Sequence, residues 1–328
     1  MISEQFPVPI RIGVVMRLKK FITIRFLLIL PLLMVVLNLK SQDNPYFLRS
    51  YPDSLIPGRL YWVAGGQTAV YGISLTLLYQ TWYKNYPQSN FHWFNDNDEW
   101  LQMDKIGHAT TSAYFGKFGY EMYRWAGVPR KKAIWIGGSA GFVFLTVIEI
   151  LDGFSAHWGA SPGDLIANTA GAGLFISQQL AWNDQRLNLK WSYHPTEYAD
   201  YRPDQLGKTH LERMLKDYNG QTYWLSGNIK SFLPKSSRFP YWLNVAVGYS
   251  AEGMLGATGN PELYNGVTLP EYPRYRQYYL SLDVDLSRIR TRSHFLKFLL
   301  NGLGFIKVPF PALEYSGEKG FRFYPLYF

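Results

Sequence analysis

Charged side chains vanish from this chain for long stretches and return in short bursts. Leu60–Tyr83 carries none over 24 residues, Ala133–Ile148 none over 16, and Leu165–Asn183 none over 19. Asp104–Trp125 is amphipathic instead, with Lys117, Glu121 and Arg124 in its later half. Runs of this length predict four helices rather than strands. They are rich in small residues: Gly65, Gly66 and Gly72 in the first, Gly137 to Gly141 in the third, Ala170 to Gly173 in the fourth. Small residues at that density let helix backbones approach closely, as in membrane bundles. The lengths are borderline for a hydrocarbon core of about 30 Å, and tryptophans mark the helix ends, so the expectation is a membrane-embedded bundle.

Beyond Trp182 the pattern changes. Residues 183–240 are polar and read as an exposed connector with a short helix near Thr209–Tyr218. Tyr241–Ser250, Tyr275–Leu286 and Phe321–Phe328 read as strands, and Ser293–Leu303 as an apolar helix. Within the second strand Leu280, Leu282, Val284 and Leu286 alternate with Tyr279, Ser281, Asp283 and Asp285, the period of a sheet with one apolar face. So few strands cannot close a barrel. The expected fold is therefore mainly α: an antiparallel, membrane-associated four-helix bundle with a small C-terminal antiparallel β-sheet packed on it. The expected divisions are 1–41, 42–182 (bundle), 183–240 (connector) and 241–328 (strand-rich).

Residues 1–41 read as an export signal. Arg17, Lys19, Lys20 and Arg25 precede the apolar run Phe26–Leu37 and a polar tail to Ser41, with Met16 the expected initiator. An uncleaved anchor is the alternative. The formal charge of +9 includes six basic residues and one acid in that segment, leaving 27 against 23, or +4. So small an excess gives no support to nucleic-acid binding. The sequence holds no cysteine, which leaves it without disulfides or a lipidated thiol. Aromatic residues make up 17%, a content suited to water–lipid boundaries and to outer-membrane strands.

If the four helices run up and down, the polar pairs Asp104/His108, Glu149/Asp152 and Asp164/Asn168 all reach one end, with Lys105 among them. Ionisable groups beside long apolar runs are costly to desolvate, so this end is the candidate site. The basic turn Arg130-Lys131-Lys132 falls at the opposite end, on the translocated side. That inverts the charge rule for an inner-membrane protein and points to the outer membrane.

The runs DKIGHA (Asp104–Ala109), EILDGF (Glu149–Phe154) and WGASPGDLIANTAGA (Trp158–Ala172) resemble the YfiM-like group of predicted periplasmic or outer-membrane proteins, which has no established activity. More distantly the layout is similar to VanZ-like membrane proteins, which share an Asp-Lys…His opening and a later Asp…Asn…Gly helix. Asp152 stands where that pattern has glutamine, and no arginine precedes Asp164. The similarity covers roughly residues 60–180 and implies an envelope location.

Each motif also has a local explanation. Asp104 suits a helix start, and Ser161-Pro162-Gly163-Asp164 is a capping arrangement. Glu149 and Asp152 at a helix C-terminus oppose the dipole and need a cation: Lys105, a protonated histidine, or a divalent metal held by some of His108, Glu149, Asp152 and His157. Gly137-Gly138-Ser139-Ala140-Gly141 matches the elbow of serine hydrolases, but small residues at helical spacing explain it as a packing seam. Two functions follow. One is an envelope enzyme acting on a lipid or lipid-linked substrate, with His108 as acid/base oriented by Asp104, Glu149 and Asp152 as second base or metal ligands, and Lys105 facing an anionic head group. The other is a noncatalytic structural or assembly protein of the outer membrane, contacting other envelope proteins through its sheet. A serine hydrolase using Ser139 is a further alternative.

Overall fold

The computed structural model describes residues 51–84 and 87–328, so the expected export signal at 1–41 lies outside the described residues. Helix α1 (Pro57–Leu78) begins at a proline, whose missing N–H would have had no partner there, and ends in a π-helical turn, Tyr79–Tyr83. Helix α2 (Met103–Trp125) is central, packed against α3 (Arg130–Gly138), α4 (Ala140–Asp152) and α5 (Pro162–Ala181). The glycines explain the closeness. A Cβ on Gly171 would stand 2.0 Å from the Ala109 carbonyl oxygen, and one on Gly141 would stand 2.3 Å from that of Ser112. The third apolar run is broken at Ser139, whose hydroxyl donates to the Trp135 carbonyl. Among the described residues one stretch, Arg130–Asp152, is long and apolar enough to cross a membrane by length and composition; buried core helices of soluble proteins pass the same test.

The rest of the chain supplies β1 (Leu187–Tyr193), three short helices α6 (Tyr198–Tyr201), α7 (Pro203–Leu206) and α8 (His210–Lys216), then β2 (Gln221–Asn228) and β3 (Leu243–Glu252). A two-stranded ribbon, β4 (Leu263–Tyr264) and β5 (Val267–Thr268), precedes β6 (Tyr275–Val284), α9 (His294–Gly302), β7 (Phe310–Ser316) and β8 (Gly320–Tyr327). Six strands form one antiparallel sheet in the order β1-β2-β3-β6-β7-β8. The fold is α+β, which overturns the expected mainly α four-helix bundle with a small sheet. Strands β1 and β2 come from the stretch read as connector. Their polar positions Asn188, Lys190, Ser192, Thr222, Ser226 and Asn228 alternate with Leu187, Leu189, Trp191, Tyr223 and Leu225, and it is the polar set that lies mostly buried.

The same inversion holds in β6. Tyr279, Ser281 and Asp283 are buried while Tyr278, Leu280 and Leu282 are exposed, so the period-2 pattern is present but its apolar face points outward. The inward face is a connected polar network. Lys190 Nζ lies 2.6 Å from Asp283 Oδ2 and donates to the Val284 carbonyl at 2.8 Å, while Ser226 Oγ donates to Asp283. Asn228 pairs with Asn244, and Gln277 donates to Glu314. Tyr327 of β8 meets Thr222 of β2 hydroxyl to hydroxyl at 2.9 Å and packs on Trp224 and Tyr279. Strands four places apart in a flat sheet are separated by about 19 Å, so the sheet is strongly curled around this interior. Ile306 bridges to Trp191 on the free edge of β1.

Candidate functional site

A loop crossing between helices assembles the site. Residues Gln88 and Trp93 make bridges to Ser155 and Ala160, which lays the loop across the α4–α5 connection and brings Asp96 beside α2. Trp100, Leu101 and Gln102 then take left-handed φ values of 46°, 50° and 65°. Such conformations cost non-glycine residues about 1–3 kcal/mol each and persist only where surroundings enforce them. The sheet and the loop after β3 do so here: Tyr249 donates its hydroxyl to the Leu101 carbonyl, and Trp100 donates its N–H to the Ala257 carbonyl.

Lys105 is the centre of one half of the site. Its ammonium lies 2.6 Å from Asp96, 2.9 Å from Asp164 and 3.0 Å from Asp104. Burial works against that charge, but the three carboxylates outweigh it and hold Lys105 above its ordinary pKa. Burial likewise pushes Asp96 up, while hydrogen bonds from Lys105 and Ser161 leave it below the usual carboxylate range. Ser161 caps α5 by accepting the Asp164 N–H at 3.0 Å and donates its hydroxyl to Asp96.

His108 is the centre of the other half. Its Nδ1 donates to Asn168 Oδ1 at 3.1 Å and lies 3.8 Å from Glu149, while Nε2 lies 3.9 Å from Asp164. The amide nitrogen of Asn168, wholly buried, has no hydrogen-bond partner. Glu149 accepts the Ser161 N–H at 2.9 Å. Burial, helped by the charges of Asp164, Asp152 and Asp96, pushes its carboxyl up to about 8, so it is largely protonated at neutral pH. Burial also raises Asp164, to about 6, against the opposing pull of His108 and Lys105.

Asp104, Lys105, His108, Glu149, Asp164 and Asn168 thus share one cluster. Asn168, not Asp104, contacts the His108 ring; Asp104 is turned to Lys105. Asp152 sits at the margin, accepting hydrogen bonds from the Tyr83 hydroxyl and the Trp158 indole, and burial raises its pKa. His157 is exposed beside Trp158. The cation-ligand geometry keeps His108 and Glu149 of the expected set and replaces Asp152 and His157 with Asp164: these three offer ligand atoms within 4.8 Å of one another, as do Asp96, Asp104 and Asp164. The second group already surrounds the Lys105 ammonium. Ser139 lies at a helix break, and Ala133–Ile136, the strand an elbow would need, is helical. Ser161 caps Asp164 as its spacing predicts, but its hydrogen bond to Asp96 is not readable from sequence, because Asp96 has no helical spacing to the rest and only the loop bridges bring it in.

His108 and Asp104 open into a groove of about 580 Å³ between α2, α8 and the edge of the sheet. Beyond them its walls are mostly apolar, including Phe115, Phe118, Met214, Leu215 and Phe305. Residues 104 to 118 of α2 run along it, which makes it about 20 Å long at 1.5 Å per residue.

Residues 91–178 match a family described as predicted periplasmic lipoprotein (DUF2279). The matched span takes in the whole cluster from Asp96 to Asn168 and none of the sheet. It supports similarity to a periplasmic family of unknown function, and not the finer YfiM-like or VanZ-like naming. No curated protein and no solved structure matches the chain. The cysteine that a lipoprotein would carry its lipid on is absent from these 328 residues.

Proposed function

We propose that this is an exported cell-envelope protein, located at the outer membrane, whose His108 end binds and acts on an amphipathic, lipid-linked molecule. One observation carries the reading: His108, 3.8 Å from the buried carboxyl of Glu149, stands at the polar end of a long apolar groove. An acyl chain fits the apolar walls, and the head group would then lie against His108 and Asp104. Burial favours the protonated form of Glu149, and His108 Nε2 lies 3.9 Å from Asp164, a carboxyl–imidazole arrangement suited to acid–base chemistry. Asp164 and Asn168 position the imidazole. The His108, Glu149 and Asp164 set also fits one divalent cation, which would take the place of the Glu149 proton.

The noncatalytic reading is favoured for the Lys105 half alone, where three carboxylates enclose the ammonium and fix the entry to α2 against α5. Photo-crosslinking with a phospholipid carrying a diazirine in its acyl chain tests the proposal. Labelled peptides are expected from Phe115–Phe118 of α2 and Met214–Leu215 of α8, suppressed by Leu215→Trp, which fills the groove. Labelling that avoids these segments, or that Leu215→Trp leaves unchanged, would overturn it.

A further inference from the structure

The outer face of the sheet is built for an apolar medium. Leu225, Val247, Leu280, Leu313 and Phe323 lie side by side in register across β2, β3, β6, β7 and β8, each between 38% and 66% exposed. The next row on that face is aromatic in Tyr249, Tyr278, Tyr315 and Phe321. Beneath both rows lies the polar network of Lys190, Asp283 and Glu314. Helix α9 repeats the inversion, with Phe295 and Phe298 exposed and Lys297 and Asn301 buried. In water, burying a lysine while leaving phenylalanines out is the unfavourable arrangement on both counts. Next to hydrocarbon it is the favourable one, as in membrane barrels with apolar exteriors and polar interiors. Strands β3 and β6 are 10 residues long, within the length suited to bilayer hydrocarbon.

Charge says which surface is met. The β2–β3 connection (229–242) and the segment after β6 (286–303) leave the sheet at the same end, where Leu243 pairs with Val284. Together they hold no acidic residue and expose Lys235, Arg238, Arg290 and Arg292, while Lys230 and Lys297 are buried and Arg288 is paired with Asp184 and Asp285. Arg290 lies over the ring of exposed Tyr241 at 5.0 Å, an aromatic–cation pair of the kind found at head-group level. We infer that the outer face of β2-β3-β6-β7-β8, with α9, rests in the acyl region of an anionic phospholipid bilayer, and that the basic end of the sheet contacts the lipid phosphates. This surface stands apart from the His108 site and does not depend on its chemistry.

The apolar run at 26–37 could by itself hold the full chain on vesicles, so the readout must be local. The sequence has no cysteine, which allows a single one to be introduced and labelled with a polarity-sensitive fluorophore. In full-length protein Leu280→Cys should brighten and shift to the blue on adding phosphatidylglycerol vesicles, whereas Lys208→Cys, on the exposed α7–α8 turn, should not. Replacing Arg290 and Arg292 with Gln should weaken that response about 30-fold in lipid concentration, each basic residue near an anionic surface contributing about fivefold. An unchanged label at 280 while the protein floats with the vesicles would overturn the inference. A shift that follows protein concentration without lipid would assign the face to a second copy of the chain, and an equal response to phosphatidylcholine would remove the anionic requirement; either result counts against it.

Discussion

Glu149 changes its protonation on folding. In the unfolded chain at pH 7 its carboxyl is ionised; in the folded protein burial lifts it to about 8, and Asp164 to about 6. Both groups have folded pKa values above their ordinary ones. The stability tied to their protonated forms is therefore complete below about pH 4 and is lost as pH rises through 6 and then 8. Lys105 does not contribute in this window, because its pKa is raised from an already high value. The melting temperature is expected to fall from pH 5 to pH 8.5. Glu149→Gln, which keeps the shape and removes the charge, should flatten the upper part of that fall and stabilise the protein at pH 8.5 by a few kcal/mol, at about 1.4 kcal/mol per pKa unit. Thermal melts at a series of pH values check this; parallel curves for the two proteins would show that the carboxyl is not protonated on folding. These residues were legible because Asp104/His108 and Asp164/Asn168 are spaced by one helical turn and Glu149 closes an apolar helix. Asp96 was not, since its place depends on a loop whose path only the bridges to Ser155 and Ala160 settle.

At the scale of elements, the contact between α2 and α5 rests on the absence of side chains. Gly171→Ala would put a Cβ 2.0 Å from the Ala109 carbonyl oxygen, so the helices must separate, at a cost of about 1–3 kcal/mol. The same change at Gly173, two residues on, meets nothing within 4 Å and should stabilise α5 by up to about 1 kcal/mol through helix propensity. Urea titrations of the two variants are expected to move in opposite directions. A common shift would mean that the close approach is absent. The helices were readable from charge-free runs, and their small residues from composition. The strands were half readable: alternation in β6 is plain, yet periodicity reports only that two faces differ. Which face is buried is not in the pattern: Leu280 and Leu282 are exposed, and Ser281 and Asp283 are buried. In β1 and β2 the inward-facing residues Lys190, Ser192, Thr222 and Ser226 are polar, so reading residues 183–240 as a polar connector passes over both strands.

For the whole molecule, the sheet is held from within by polar contacts between strands far apart in sequence. Removing one partner of the Lys190–Asp283 pair leaves a buried charge alone, which typically costs about 3–5 kcal/mol, whereas replacing both with apolar residues of similar volume can be neutral. Lys190→Met should therefore be strongly destabilising, and Lys190→Met combined with Asp283→Leu much less so, in a double-mutant cycle read by denaturant unfolding. Additive losses would place the pair in water. The pair also carries a consequence in time. Lys190 and Asp283 are 93 positions apart, so when β1 and β2 have formed a hairpin the lysine still has no counter-charge, and it gains one only after β3 and β6 have been added. Closing so long a loop is entropically slow, and until it closes the nascent sheet presents a bare ammonium on one side and leucines on the other. Refolding should show a lag that shortens in the double variant, because its inner surface can collapse before the distant strand arrives.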